Sequence, residues 1–153
     1  MIGSKQAPRT LPYRAIDYNR IHSEPMIKNS TGNRLEEFES YRSRLNMRIL
    51  DHKKHRGIKR FFNLDTSAYT DGPLDKRTKE LLGLVASMVL RCQDCIDYHI
   101  VRCIEEGYSE EELDDAMNVA LVVGGSIVIP HLRRAVETAD LAYARENRRK
   151  SSQ

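Results

Sequence analysis

Residues 74–90 read LDKRTKELLGLVASMVL, and residues 91–99 continue as RCQDCIDYH. The first stretch is the most apolar helix that the sequence predicts, and we expect it to be mostly buried. In the second stretch Cys92, Cys95 and His99 are three and then four residues apart, so a helix would bring their side chains to one face. Two neighbouring thiols and an imidazole are the components of a dithiol–disulfide site. A metal site and ordinary core cysteines are the competing interpretations.

The chain turns near Arg91, which puts the two cysteines at the start of the next helix. Free N–H groups and the positive end of the helix dipole favour the thiolate there. His99 follows Cys95 by one turn and could take its proton directly or through a water molecule. Glu80, twelve residues before Cys92, could fix the tautomer of His99 and accept its proton. A surface acid in the first turns of its helix is an equally good interpretation of Glu80.

Apolar residues recur at three- and four-residue steps through most of the chain after residue 30. Helices are predicted at about residues 33–54, 58–64, 74–90, 92–106, 109–123 and from 126 or 130 to 146. Ser109 and Glu112 form a capping box at the start of the fifth, and Gly124-Gly125 ends it. No segment shows sustained period-two alternation, so the predicted fold is all-α.

A length of 153 residues suits one domain. Residues 1–30 contain three prolines and no apolar period, and we interpret them as an extended N-terminal arm before a helical domain at residues 31–150. No run approaches 18 uncharged apolar residues and no signal peptide is recognisable, so neither a membrane span nor secretion is expected. One C-x-x-C among three cysteines fits the reducing cytoplasm.

The net charge is only +3, but it is unevenly distributed. Residues 42–60 carry eight basic side chains and one acid, whereas residues 105–115 carry seven acids and no base. A basic stripe can bind nucleic acid, but no aromatic stacking pattern or nucleic-acid motif accompanies this one. We therefore expect no nucleic-acid partner, and interpret the charges as solvated helix faces or as complementary surfaces of two subunits.

The stretch from Leu74 to about Ala139 resembles the alkylhydroperoxidase D-like, carboxymuconolactone decarboxylase superfamily. The resemblance rests on Lys79-Glu80-Leu81, the twelve-residue step to Cys92-Gln93-Asp94-Cys95, and His99, and continues through Gly107, residues 109–115 and Gly124-Gly125. It implies an alkylhydroperoxidase D-like helical domain that forms a homo-oligomer, most often a trimer or hexamer. It also implies reduction of a hydroperoxide substrate, re-reduction by a lipoyl or thioredoxin-type dithiol, and no bound cofactor.

The same resemblance assigns a role to each residue of the motif. Cys95 would attack the peroxide, Cys92 would resolve the resulting sulfenic acid as a disulfide, and His99 with Glu80 would relay protons. The hydroperoxidase branch has a second histidine where this chain has Asp94, an acid that tends to raise the thiol pKa of its neighbour. Thiol–disulfide exchange without peroxidase turnover is therefore the alternative. The decarboxylase branch lacks the cysteine pair, so lactone decarboxylation is not expected.

Two other interpretations remain open. A zinc site could use Cys92, Cys95 and His99 with His131 or Glu80, but not Cys103 as a fourth ligand, since residues 92 and 103 of one helix are about 16 Å apart. The protein could instead be a non-enzymatic helical assembly module. Cys103 is interpreted as a buried small hydrophobe, and His131 as a helix-start residue. His22, His52 and His55 are interpreted as surface residues.

Overall fold

The computed structural model describes residues 34–52 and 55–152, and within them all regular secondary structure is helical, without a β-strand. The all-α prediction is confirmed. The arm predicted at residues 1–30, and His22 within it, lie outside the described residues. The α-helices are α1 (Arg34–Met47), α2 (Arg56–Ala68), α3 (Lys76–Leu90), α4 (Gln93–Glu105), α5 (Glu110–Gly124) and α6 (Ile129–Ser151). None of the described helices is long and apolar enough to cross a bilayer.

Several helix boundaries differ from the prediction, and the second helix also ends four residues later than predicted, at Ala68. The first helix changes to a π-helical turn at Arg48–His52. The second starts at Arg56 because His55 caps it, with Nδ1 accepting the N–H of Ile58 at 3.3 Å. The last helix continues to Ser151, five residues beyond the predicted end. Residues 147–151 are polar, so the apolar pattern ends before the helical backbone does. The basic side chains among them stabilise a helix C-terminus.

The core forms where α3 packs against α4 and α5, and α4 packs against α6. Leu84 and Met88 from α3 meet Ile96 and Ile100 from α4, and all four side chains are fully buried. Their spacing of four residues within each helix makes one continuous apolar stripe per helix. The two stripes fix α3 and α4 face to face, which brings residues of the α3 interior beside the first turns of α4.

A tight turn joins α3 to α4. The N–H of Arg91 donates to the carbonyl of Met88, and the N–H of Cys92 donates to that of Ser87, both at 3.0 Å. Arg91 has a φ of 60°, the left-handed conformation that usually calls for glycine. Because the turn is this short, Cys92 becomes the residue that begins α4.

Candidate active site

The two cysteines of the motif lie at the N-terminus of α4 and are joined by a disulfide bond. Cys92 is the N-cap residue, Cys95 lies in the first turn, and their Cα atoms are 5.3 Å apart. Among the described residues no side chain caps this end of the helix, so its free N–H groups and the positive end of its dipole lie at the turn that carries the two cysteines. An opened pair would have its thiolates stabilised by this partial positive charge.

Cys103 is separate from this pair and is fully buried, as expected of a core residue. Burial raises the pKa of its thiol to about 12, and the negative charge of Glu80 adds to the effect. The Cys103 thiol is therefore protonated at neutral pH and is unsuited to redox chemistry.

Glu80 and His99 form a buried pair between α3 and α4. Oε2 of Glu80 accepts a hydrogen bond from Nδ1 of His99 at 2.8 Å. Glu80 is 1% exposed and His99 is 7% exposed, so the interpretation of Glu80 as a surface acid is wrong. A carboxylate at Nδ1 makes Nε2 the acceptor nitrogen of a neutral imidazole.

Gly83 makes room for this pair. The ring of His99 lies against the backbone of Gly83, one helical turn after Glu80. A Cβ atom added at Gly83 would lie 2.5 Å from Cε1 and 2.8 Å from Nε2 of His99, closer than packed atoms approach. Glycine is therefore required here for close approach of a side chain, and not for its backbone conformation.

Tyr69, which the sequence analysis did not single out, completes the surroundings of His99. It follows the last residue of α2, and its hydroxyl donates to Nε2 of His99 at 3.4 Å. The two ring centroids are 5.2 Å apart. Tyr69 precedes His99 by 30 residues and belongs to no motif, so nothing in the sequence signals this contact.

A second buried acid, Asp97, lies on α4 two residues after Cys95 and was also missed. Its carboxylate accepts hydrogen bonds from Nη1 of Arg34 at 3.0 Å, from Nε2 of Gln93 at 3.0 Å and from the hydroxyl of Thr138 at 2.7 Å. Asp97 and Thr138 are almost fully buried. These bonds tie α1 and α6 to the turn that carries the cysteines, and they satisfy a charge that would be costly to bury alone.

His131 is brought to the cysteine turn by the same network. It lies at the start of α6, as predicted. Its Nδ1 donates at 3.0 Å to Oε1 of Gln93, one of the two residues between the cysteines. His52 and His55 are exposed, as predicted. Among the described residues no group of three or more histidine, cysteine or acidic side chains is arranged to hold a metal ion.

Comparison with known proteins places the chain in a family. The model of the carboxymuconolactone decarboxylase family matches residues 58–138, more than half of the chain and the whole of the site apart from the Arg34 contact. An uncharacterised protein of the cox locus of Paracoccus denitrificans is 31% identical over 80 residues, which cover 52% of this chain and 72% of that protein.

Solved structures agree with this assignment. A Thermotoga maritima protein shares 54% identity and a TM-score of 0.70, covering 73% of this chain and 97% of that one. A second crystal structure from T. maritima, with 52% identity and a TM-score of 0.67, is described as a carboxymuconolactone decarboxylase family protein with a suggested involvement in antioxidative response. A Legionella pneumophila family member, at 24% identity and a TM-score of 0.58, shares the fold. The chain belongs to the carboxymuconolactone decarboxylase family, which confirms the resemblance seen in its sequence.

Proposed function

We propose that this protein reduces hydroperoxides through the Cys92–Cys95 dithiol, with His99 and Glu80 as its proton relay. The observation that supports this most is the buried Glu80–His99 pair one turn beyond a cysteine pair at a helix N-terminus. The suggested antioxidative role of the T. maritima relative points in the same direction. Two thiols alone would be consistent with many sites, but a buried carboxylate–imidazole pair beside them is suited to removing a thiol proton.

The proposed cycle has three steps. His99 accepts the proton of Cys95, and the thiolate attacks the outer oxygen of the hydroperoxide, giving a sulfenic acid and an alcohol after protonation of the alkoxide. Cys92 then attacks the sulfenic acid, which releases water and forms the disulfide. A dithiol reductant of lipoyl or thioredoxin type opens the disulfide by exchange and becomes oxidised itself. A reducing compartment such as the cytoplasm suits this cycle, because the reductant must be kept reduced.

Thiol–disulfide exchange without peroxide is a second candidate, and Asp94 is the observation that favours it. This exposed acid is adjacent to Cys95, at the position where the hydroperoxidase branch has a histidine. Its charge opposes formation of the neighbouring thiolate, which peroxide attack requires. Exchange with a partner dithiol depends less on Cys95, because the partner supplies the attacking thiolate when the disulfide is opened.

Mass spectrometry of the reduced protein separates these candidates. After one equivalent of hydroperoxide is added, we expect the protein to lose about two mass units, and the loss should map to a Cys92–Cys95 bond. Cys103 should still react with an alkylating reagent once the protein is unfolded. A lipoyl dithiol should restore the original mass. If an oxidised dithiol forms the disulfide but peroxide does not, peroxide reduction is excluded and thiol–disulfide exchange remains. If no oxidant links the pair, both candidates fail.

We also propose that the protein is a homo-oligomer. Leu90 at the end of α3 and Val122 and Val123 at the end of α5 are 69–76% exposed. These ends are neighbours, since a Cβ atom at Gly124 would lie 3.6 Å from Cα of Val89. An apolar surface of this kind on a protomer is typical of a contact between subunits.

Charge substitutions in this surface test the proposal. We expect the Leu90→Glu, Val122→Glu protein to lose its trimeric or hexameric mass in light scattering, because each carboxylate would be buried without a partner. Val136→Glu is the control, since Val136 is an exposed valine of α6. A wild-type protein that is monomeric at micromolar concentration would contradict the proposal.

A further inference from the structure

We propose that Tyr69 is a positioning residue of the proton relay, holding Nε2 of His99 through its hydroxyl in both protonation states of the imidazole. This inference rests on the function proposed above and adds a member to the site. Tyr69 lies outside the C-x-x-C-x-x-x-H motif and its Glu80 partner.

The contacts form a continuous chain from Glu80 through His99 to Tyr69. The carboxylate of Glu80 accepts from Nδ1 at 2.8 Å, so Nδ1 carries a proton. Nε2 of the neutral ring is then the acceptor, and the Tyr69 hydroxyl, 3.4 Å away, is its donor. The two bonds fix the ring at opposite nitrogens while Gly83 supports its face. Each nitrogen of a nearly buried imidazole thus has a partner.

The loop that carries Tyr69 is fastened to the helix that carries Glu80. Nζ of Lys79 donates to the carbonyl of Thr70 at 2.6 Å. The N–H of Lys76 donates to the carboxylate of Asp71 at 2.8 Å, and Asp75 caps α3 through the N–H of Thr78. Lys79 therefore holds the segment beside Tyr69, and its neighbour Glu80 holds His99. Contacts of the first residues of α3 therefore determine where the Tyr69 phenol lies relative to the His99 imidazole.

A hydroxyl can serve both states of His99 because it is a donor and an acceptor. Burial, and then the negative charges of Glu80 and Asp65, raise the pKa of Tyr69 above its ordinary value, so the phenol keeps its proton at neutral pH. With the disulfide closed, the phenol donates to Nε2. Once Nε2 has taken up a proton, the O–H turns away and its oxygen accepts from Nε2–H. The second bond is the stronger, because its donor is charged.

Substitution of Tyr69 by phenylalanine should therefore disfavour the imidazolium–thiolate state. We expect the thiolate population of the reduced protein at neutral pH, measured by absorbance at 240 nm, to fall about fivefold. In the oxidised protein, the ¹⁵N resonance of Nε2 of His99, assigned by its loss in His99→Gln, should move towards that of a nitrogen without a donor. Tyr98→Phe is the matched control. The Tyr98 ring contacts His99 with its centroid at the same 5.2 Å, but within the described residues its hydroxyl makes no hydrogen bond to His99.

Unchanged thiolate population and unchanged Nε2 resonance in Tyr69→Phe would overturn the inference, as would equal changes in Tyr98→Phe. If Tyr69→Phe does not fold, Lys79→Met frees the loop while keeping the phenol, and a shift of the Nε2 resonance in the same direction is the supporting result. The Nε2 measurement needs no peroxide and no turnover. If Cys92 and Cys95 of the wild type never interconvert between dithiol and disulfide, the proposed function is wrong. If only the Nε2 resonance of His99 is unchanged in Tyr69→Phe, the role of Tyr69 alone is wrong.

Discussion

Replacing Cys95 by serine is expected to abolish peroxide reduction, with a loss of at least about a thousandfold relative to the wild type. A serine hydroxyl does not ionise at neutral pH, so no nucleophile remains for the peroxide oxygen. Cys92 keeps its thiol but lies at the N-cap, two full turns from His99 rather than one. We expect peroxide consumption with a lipoyl or thioredoxin-type reductant to fall to the rate without enzyme.

Cys92→Ser is the informative partner of this variant. Cys95 and the Glu80–His99 pair are intact in it, so the first oxidation should proceed and stop at the sulfenic acid. One equivalent of a sulfenate-specific probe should be incorporated at Cys95, and turnover should cease. Cys103→Ser serves as the control and should retain full activity, since the Cys103 thiol is protonated and buried. Full peroxidase activity in Cys95→Ser, or a sulfenate trapped on Cys92 in that same variant, would show that the two roles are wrongly assigned.

Gly83→Ala is expected to reduce activity about a hundredfold, although the substitution adds only one methyl group and changes neither cysteine. The added Cβ atom would overlap the ring of His99, so the ring must move by an ångström or more or the two helices must separate. A displacement of this size in a catalytic group costs about a hundredfold in rate. Because Glu80 and Tyr69 hold the two nitrogens of the ring, its displacement also breaks those hydrogen bonds.

We also expect Gly83→Ala to lower the stability of the protein, although a glycine-to-alanine change within a helix usually raises it. Alanine in a helix is ordinarily more stable than glycine by about 1 kcal/mol. We expect the Gly83→Ala protein to unfold at a lower denaturant concentration than the wild type, because the clash with a buried ring outweighs that gain. Gly57→Ala in α2 is the matched control. Its Cβ atom would meet only the side chain of His55, the exposed cap of α2, which is not part of the site, so activity should not change. Wild-type activity in Gly83→Ala would contradict the role given to His99.

The helices could be predicted from the sequence because their signals are local. Side chains three and four residues apart share a helix face, and that spacing gave α3, α4 and α5 to within about two residues of the observed ends. The capping box of Ser109 and Glu112 is confirmed, with both hydrogen bonds present. The ends of α1 and α6 were less accurate, because a change to π-helical hydrogen bonding and a polar helix end leave no trace in an apolar pattern.

In the candidate site, too, local features could be predicted from the sequence and long-range contacts could not. The grouping of Cys92, Cys95 and His99 on one face follows from their spacing along α4. For Glu80 the spacing left two equally good interpretations, a helix-start acid and a buried relay acid, and the resemblance to a family implied the relay. The contacts of Gly83 and Tyr69 with His99, and of Arg34 and Thr138 with Asp97, join residues 16 to 63 positions apart in the chain.

The sequence by itself determined that the chain is helical, that two thiols and an imidazole lie on one helix face, and which family it belongs to. Each of these depends on residues close together in the chain or on a short motif. Only the tertiary structure decided that Glu80 is buried against His99, that Gly83 makes room for the ring, and that Tyr69 lies over its second nitrogen. The physical reason is that such contacts depend on how α3 and α4 are rotated and offset when their apolar stripes interlock. A difference of one residue in that offset would separate Glu80 from His99 by about 1.5 Å more, and no local rule fixes it.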